Sequence, residues 1–199
     1  MNRPDVPTRK PSKRVLVPHW MALILTLVLF LLAHVVVPRE LSLLSTRHGW
    51  AHGRPGRRNL LALILIGIGA AGISWCARLH VVASPGSFEM EHTPRYLLVR
   101  GPYQFTRNPI YLSGMAIWLG WVIFYGSVAV LVGFVVGWGS VIFLVVPWEE
   151  RKLEARFGEA YLRYKNTVPR WLGRNRADRP QARQALDREN ISLRHPTDA

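Results

Sequence analysis

Long stretches without charge dominate the pattern of hydrophobic and polar positions along this chain. The segment from Pro18 to Val37 contains no Lys, Arg, Asp or Glu, and about 20 apolar residues are enough for a helix to cross a bilayer. A second apolar segment covers residues 60–83. The third uncharged stretch, from Pro109 to Trp148, is too long for one crossing and predicts two helices joined by a tight turn at residues 125–127. The pattern therefore predicts four transmembrane helices.

After the last span, apolar residues return at steps of three and four, which is the spacing of one helical face. These residues are Leu153, Phe157, Tyr161, Tyr164 and Val168. The opposite face is charged, so the spacing predicts one amphipathic helix that lies on the interface or folds back over the loop before Pro109. The predicted fold class is all-α: an integral membrane bundle of about four transmembrane helices with a C-terminal amphipathic interfacial helix.

Composition divides the chain into four regions. A basic arm at residues 1–17 and a polar tail at residues 172–199 are predicted to be disordered. Residues 18–83 are predicted to hold the two N-terminal transmembrane helices and their connecting loop. Residues 84–171 are predicted to hold a polar loop, the uncharged helical hairpin and the amphipathic helix.

Charge is strongly lopsided, with 26 Lys and Arg against 12 Asp and Glu and a formal net charge of +14. Such a balance suits either nucleic acid or an anionic membrane surface. Only Arg78 among the 26 basic residues falls within an apolar block, which is typical of a membrane protein and argues against nucleic acid as a partner. The single cysteine, Cys76, excludes an intramolecular disulfide and a zinc site built from cysteines. The histidines lack the pairing of a helical metal site, so no metal is expected.

The basic residues also predict the orientation in the membrane. Four spans place the N-terminus, the 84–108 loop and the C-terminal region on one face, with 20 of the 26 basic residues. The positive-inside rule puts that face in the cytosol, and we expect a multi-pass protein of a bacterial inner membrane. The five basic residues of the 39–59 loop, on the other face, oppose this assignment.

Two features stand out within the first two spans. Gly67, Gly69 and Gly72 in the second span permit the close approach of another helix. His34 lies within the first span, where we expect it to form a hydrogen bond between helices.

The clearest chemistry precedes the third span, in the stretch RGPYQFTRNPIYLSG from Arg100 to Gly114. Asn favours the cap position of a helix and Pro its first position, so Asn108 and Pro109 mark the helix start. The free N–H groups and the positive dipole end point toward the preceding loop, where Arg107 adds a full charge. This combination indicates a site for a carboxylate or a phosphate. The alternative is a simple cap, with Arg107 paired to a lipid phosphate.

An acidic pair, Glu149 and Glu150, stands where the fourth span ends. Because a hairpin returns its two ends to one face, we expect this pair to lie near Arg107 and Asn108. Two carboxylates favour a cation, although acids are also common in the first turn of a solvated helix. Together the clusters predict a pocket with an anion end and a cation end, walled by Tyr103 and Tyr111. A ligand with an α-amino and an α-carboxylate group would suit it.

These residues resemble a known family. The stretch GPYQFTRNPIYLSG, followed beyond the hairpin by EERKLEARFGEAYLRYKNTVPRW, is similar to the isoprenylcysteine carboxyl methyltransferases and phospholipid methyltransferases. These are integral-membrane enzymes that use S-adenosylmethionine. The resemblance covers residues 95–171, and its specificity comes from the two halves occurring together.

The resemblance implies which residues hold the methyl donor and which act in catalysis. The donor contacts it implies are Arg95, Tyr96, Leu97, Leu98, Tyr103, Asn108, Pro109, Ile110, Tyr111 and Glu149. The candidate catalytic residues are Arg107, Asn108, Tyr111, Glu150 and Arg170.

Two positions depart from the family pattern. Asn108 stands where the family usually has His, and an amide cannot titrate near neutral pH, which puts an acid–base role there in doubt. Val145 stands where the prenylcysteine enzymes have an arginine for the substrate carboxylate. Arg170 is the residue that could replace it.

The implied function is transfer of a methyl group from S-adenosylmethionine to a lipophilic acceptor. The acceptor is a carboxylate of an isoprenylcysteine-like substrate or the amine of a phospholipid. A carboxylate needs no base, whereas an amine must lose a proton, for which Glu150 is the candidate base. A lipophilic acceptor is expected to enter sideways between helices and the polar donor from the cytosol.

Two other functions are compatible with the pattern. A membrane reductase of the sterol type has a similar Arg-x-Pro-x-Tyr helix start but binds NADPH and generally has more spans. A non-enzymatic membrane protein would use the hairpin for packing or partner binding, in which case neither Glu149 nor Tyr111 would be needed.

Overall fold

Helices that run back and forth across the expected membrane make up nearly all of the computed structural model, which describes residues 19–83 and 97–172. The expectations for residues 1–17, for residues 84–96 and for residues 173–199 lie outside these ranges. The helices are α1 (His19–Leu31), α2 (Val37–Leu41), α3 (Arg57–Ala83), α4 (Pro109–Tyr125), α5 (Val128–Ser140), α6 (Val146–Phe157) and α7 (Glu159–Thr167). The chain also forms a two-stranded hairpin, β1 (Trp50–Ala51) and β2 (Arg54–Pro55), and a 3-10 turn at Gly101–Gln104.

The predicted all-α membrane bundle is confirmed. Within the described residues, three helical stretches are long and apolar enough to cross a membrane: Ile24–Leu41, Arg57–Val82 and Val128–Phe157. The fourth apolar helix, α4, has only 17 residues, or about 25 Å at 1.5 Å per residue. The first span continues past Val37, where the sequence placed its end, and the second begins before residue 60.

Two of these long stretches contain a π-helical turn ahead of a proline. The turn Leu32–Val36 joins α1 to α2, and the turn Val141–Val145 joins α5 to α6. Pro38 and Pro147 are each the second residue after the end of the turn. Because proline has no N–H and its ring clashes with the carbonyl four residues back, the helix widens there instead of breaking.

The closest helix packing joins α3 to α4. A Cβ atom on Gly69 would lie 2.5 Å from the Ser113 carbonyl oxygen, and one on Gly72 would lie 2.3 Å from the Ser113 hydroxyl. Gly120 of α4 makes the reciprocal contact near the other end of the pair, against Ile66. The predicted close approach is therefore confirmed for Gly69 and Gly72, but it is wrong for Gly67, which faces open space.

The tight turn between α4 and α5 lies where the sequence placed it. Gly126 adopts a left-handed conformation with φ 56°, which only glycine does at low cost. Ser127 caps α5, its hydroxyl accepting a hydrogen bond from the Val130 N–H. The hairpin therefore returns Trp148 and the acidic pair to the end of the bundle where α4 begins.

The 39–59 loop is folded against this turn, which the sequence did not predict. The Asn59 side-chain amide donates to the carbonyls of Phe124 (2.9 Å) and His48 (3.1 Å), and Trp50 Nε1 also donates to Phe124 (2.9 Å). The Arg47 guanidinium lies over the rings of Trp50 and Tyr125, 5.1 and 5.3 Å from their centroids. The basic residues of this loop argue against the predicted orientation in the membrane, and at least one of them, Arg47, therefore has a structural role.

The C-terminal amphipathic segment differs from the prediction of one separate helix. Its first half, α6, continues the fourth span without interruption, and the segment breaks at Gly158, where φ is 52°. The predicted apolar stripe survives the break because α7 folds back over the loop before α4. Tyr161, Tyr164 and Val168 are buried there against Val99.

The α3–α4 contact yields a matched pair of substitutions. We expect Gly69→Ala to lower stability by about 1–3 kcal/mol, because the added methyl group would overlap a backbone oxygen that cannot move aside. Gly67→Ala is the control, since nothing lies within 4 Å of its added Cβ. Thermal unfolding of the detergent-solubilised variants measures the difference. Equal unfolding temperatures would contradict the packing described here.

Candidate active site

The loop before α4 is fastened to the segment after α7. The Arg107 backbone N–H donates to the Pro169 carbonyl (3.0 Å). The Thr106 hydroxyl and the Asn108 side-chain amide both donate to the Arg170 carbonyl, at 3.0 and 2.9 Å. The helix begins at Pro109 as predicted, but the Asn108 side chain does not cap it. The side chain instead holds the C-terminal segment against the helix start.

A buried carboxylate links the same parts of the chain. Glu150 accepts hydrogen bonds from Arg170 Nε (3.0 Å) and Nη2 (2.5 Å), and its Oε1 lies 3.0 Å from Arg107 Nη1. The side chains of Glu150 and Arg107 are only 7 % and 9 % exposed. Hydrogen bonding to Glu150 raises the pKa of the Arg170 guanidinium. Arg107 therefore lies near the acidic pair, as predicted, and the contact is an ion pair with Glu150.

Arg107 keeps unused hydrogen-bonding capacity despite this ion pair. Its Nη1 lies close enough to Glu150 for an ion pair but does not form a hydrogen bond with it. Nε and Nη1 are buried without a hydrogen-bond partner among the described residues. Buried donors are normally satisfied, so such a group indicates a missing partner that accepts hydrogen bonds.

Glu149 is differently placed. It accepts a hydrogen bond from the Tyr111 hydroxyl at 2.8 Å. Within residues 19–83 and 97–172 it has no ion-pair partner. The two acidic residues therefore have different partners. Glu150 is ion-paired with two arginines, whereas Glu149 is hydrogen-bonded to Tyr111 and has no cationic partner among the described residues.

These groups line one pocket above the start of α4. Its empty space, including the open mouth, is about 630 Å³. Eight of the predicted site residues line it: Leu97, Leu98, Tyr103, Arg107, Asn108, Ile110, Glu149 and Glu150. Pro109, Tyr111 and Arg170 do not line it. Tyr111 contacts the lining residue Glu149, and Arg170 contacts the lining residue Glu150. Arg95 and Tyr96 lie outside the described residues.

Five lining residues were missed by sequence reasoning: His80, Val146, Leu153, Tyr161 and Tyr164. Leu153, Tyr161 and Tyr164 belong to the stripe that the spacing did identify, so its apolar face was the available indication. Nothing in the sequence pointed to His80, which comes from the end of α3. Its Nε2 lies 2.9 Å from the Tyr103 hydroxyl.

A tyrosine cluster closes the pocket on the side of α7. The Tyr164 hydroxyl donates to the Tyr103 carbonyl at 2.8 Å, and burial raises the pKa of Tyr164. Burial, with a smaller contribution from the Glu150 charge, raises the pKa of Tyr161 to about 12. Both phenols are therefore neutral near pH 7 and serve as polar walls.

Fold and site together define an integral membrane protein with a pocket lined by charged and aromatic side chains at one end of its helices. A family model described as Phospholipid methyltransferase matches residues 58–160. The chain belongs to this family and is a membrane methyltransferase. Neither the curated proteins nor the solved structures include a match to it.

The ion cluster of Glu150, Arg107 and Arg170 can be compared with the more exposed ion pair of Glu154 and Lys165. We expect Glu150→Gln to destabilise the protein by about 3–5 kcal/mol, because Arg107 would be left as a buried charge without compensation. Glu154→Gln removes an ion pair with the more exposed Lys165 and should cost less than about 1 kcal/mol. Denaturant unfolding in detergent measures both. A Glu150 variant as stable as the Glu154 variant would refute the role assigned to the cluster.

The burial of Tyr161 predicts a dependence on alkaline pH. With a pKa of 10 in the unfolded chain and about 12 in the folded one, Tyr161 contributes stability that is complete below pH 10 and lost as the pH rises to 12. The loss amounts to at most about 3 kcal/mol. Tyr161→Phe should therefore lose less stability than the wild type between pH 9 and 11. Thermal unfolding at both pH values measures this, and equal losses would contradict the prediction.

Proposed function

We propose that the pocket binds S-adenosylmethionine and that the protein transfers its methyl group to a lipophilic acceptor. The observation that carries the proposal is the presence, in one pocket, of arginine N–H groups without hydrogen-bond partners and of a carboxylate without an ion-pair partner among the described residues. Within residues 19–83 and 97–172, Arg107 offers buried N–H groups without acceptors, and Glu149 offers a carboxylate without a cation. A ligand with a carboxylate and an ammonium or sulfonium group would satisfy both.

The remaining walls suit the rest of this donor. Leu97, Leu98 and Leu153 provide apolar surface, and Tyr103 and Tyr161 add aromatic edges with polar groups. When bound, S-adenosylmethionine supplies a methyl group whose bond to the cationic sulfur breaks as a bond to acceptor oxygen or nitrogen forms. The residues of the chain mainly position and desolvate the reactants. In favourable cases such positioning lowers a barrier by about 7–11 kcal/mol.

Each charged residue then has a separate task. Glu149, held by the Tyr111 hydroxyl, faces the positive part of the donor. Arg107 binds its carboxylate, and Glu150 with Arg170 keeps Arg107 in place. Asn108 positions the segment that carries Arg170.

The two acceptor classes make different demands on this site. A carboxylate oxygen attacks without losing a proton. An amine must lose a proton, but the Glu150 oxygens already contact two guanidinium groups and are poorly placed to take one. His80, which also lines the pocket, is then the better-placed base. Arg170 is likewise committed to Glu150, which weakens the case for it as the substrate carboxylate partner.

We place this end of the bundle in the cytosol, where the donor is available. The excess of basic residues supports this orientation. The basic residues of the 39–59 loop argue against this orientation, but Arg47 packs on Trp50 and Tyr125 within the fold of that loop. Its charge therefore counts less against the orientation.

Donor binding is the direct test. Calorimetry on detergent-solubilised protein should show binding of S-adenosylmethionine. We expect Glu149→Gln to weaken it by about 10- to 100-fold, because a hydrogen bond or contact with a charged group contributes about 1.5–3 kcal/mol. Tyr111→Phe should weaken it by up to about tenfold, and Glu154→Gln should leave it unchanged. Absence of donor binding, or binding of NADPH in its place, would overturn the proposal.

The acceptor class requires a second experiment. Membranes that contain the protein would be incubated with a methyl-labelled donor, with phosphatidylethanolamine or N-acetyl-S-farnesylcysteine added. Label is expected in one lipophilic acceptor and should be lost in the Glu149→Gln variant. Label in neither the added probes nor any membrane lipid would oppose transfer to a lipid.

A further inference from the structure

The first span leaves the bundle open to lipid beside the pocket. Ile24, Leu25, Leu27, Val28, Leu29 and Leu31 of α1 are each at least 45 % exposed. Residues so closely spaced point in all directions around a helix, so this part of α1 is not packed on any described helix. The main contacts with α4 and α5 come from the π-helical turn and α2. The part of α1 before that turn therefore stands apart from α4, and we call the lipid-facing space between them the cleft.

His34 lies at the floor of this cleft, in the π-helical turn. Because Pro38 cannot donate to the His34 carbonyl, that oxygen accepts a hydrogen bond from Trp121 Nε1 of α4 instead. The His34 ring stacks on Phe30, with centroids 4.5 Å apart. Its Nδ1 lies 3.2 Å from the Phe30 carbonyl, so Nδ1 carries the proton in the neutral ring.

The other ring nitrogen is left as a hydrogen-bond acceptor. Nε2 has no hydrogen-bond partner among the described residues, and it is not among the fully buried atoms. It faces Gly114 of α4, where an added Cβ would lie 3.3 Å away. The interhelical hydrogen bond predicted for His34 is therefore made by its backbone oxygen, and the side chain remains available.

A continuous set of side chains connects this floor to the pocket. Gly114 lies one helical turn after Tyr111, and a Cβ on it would be 3.1 Å from the Trp138 ring. The Trp138 ring also contacts the Tyr111 ring, whose hydroxyl binds Glu149. Ile110, on the same turn of α4 as Tyr111, lines the pocket while 38 % exposed. The pocket wall therefore continues into the lipid-facing surface of α4.

We propose that the acceptor lipid lies in this cleft and that His34 Nε2 accepts a hydrogen bond from an N–H or O–H group of it. The inference rests on the proposed function. It assigns acceptor recognition to the first span, which lies outside the matched residues 58–160. Ionisable residues within a membrane span are costly and face functional sites as a rule.

Binding of two acceptor probes tests this assignment. N-acetyl-S-farnesylcysteine and dioleoyl phosphatidylethanolamine, which both carry N–H groups, would be titrated into solubilised protein. Tryptophan fluorescence would report binding, because Trp121 binds the His34 carbonyl and Trp138 lies against Gly114, next to which His34 also lies. We expect His34→Leu to raise the Kd of at least one probe by about three- to tenfold, the worth of one hydrogen bond. His34→Gln, which retains an acceptor oxygen, should stay within about twofold of the wild type.

Controls separate binding from folding. Val35→Leu changes a lipid-facing residue of the same turn and should alter nothing. The backbone bond to Trp121 survives in His34→Leu, so donor affinity and unfolding temperature should be unchanged. The assignment is wrong if neither probe binds the wild type, or if the His34→Leu variant binds both probes as tightly as the wild type does. It is also wrong if His34→Leu lowers the donor affinity and the unfolding temperature together with probe binding. Absence of donor binding in the wild type, with His34-dependent probe binding, would instead refute the methyltransferase site and leave the cleft standing.

Discussion

The site end of this protein depends on one buried carboxylate shared by two arginines. Glu150, in the first half of α6, joins Arg107 of the loop before α4 to Arg170 of the segment after α7. Burying these charges costs free energy, which only close geometry and mutual neutralisation offset. Three separate parts of the chain must therefore meet correctly before the pocket can exist. The hydrogen bonds from Thr106 and Asn108 to the Arg170 carbonyl reinforce the same junction.

The short helix α4 explains why this charged junction can exist beside a membrane. At about 25 Å, α4 is shorter than the roughly 30 Å hydrocarbon core, while α3 and the α5–α6 helix continue past its start. The longer helices therefore surround a recess beyond the start of α4. The loop, α6 and α7 line this recess and enclose the ion cluster. In the proposed function, a polar donor would enter the recess from water, and an acceptor lipid would not have to leave the bilayer.

The adjacent acids Glu149 and Glu150 show how the fold gives neighbouring residues different roles. Successive residues of a helix point about 100° apart, so one carboxylate faces the arginines and the other faces Tyr111. The π-helical turn before them contributes to this placement. A π-helical turn contains one residue more than an α-helical turn, and this extra residue rotates the helix that follows it. Val146 and Glu150 of α6 therefore lie on the same buried side as Trp138 of α5. A π-helical turn ahead of a proline also leaves the His34 carbonyl free for Trp121, and this hydrogen bond joins the turn of the first span to α4.

The sequence alone determined the spans, the turn at Gly126, the start of α4 at Pro109 and the family. These features come from local composition, cap and turn chemistry and paired motifs, which act over a few residues or were recognised as patterns. It also identified Arg107, Glu149 and Glu150 as neighbours, because a hairpin must return its ends to one face. Tertiary structure alone decided that Glu150 is neutralised while Glu149 is not, that Asn108 binds Arg170 instead of capping its helix, and that His80 belongs to the pocket. Those outcomes depend on distances between chain segments far apart in sequence, and no local pattern encodes such distances.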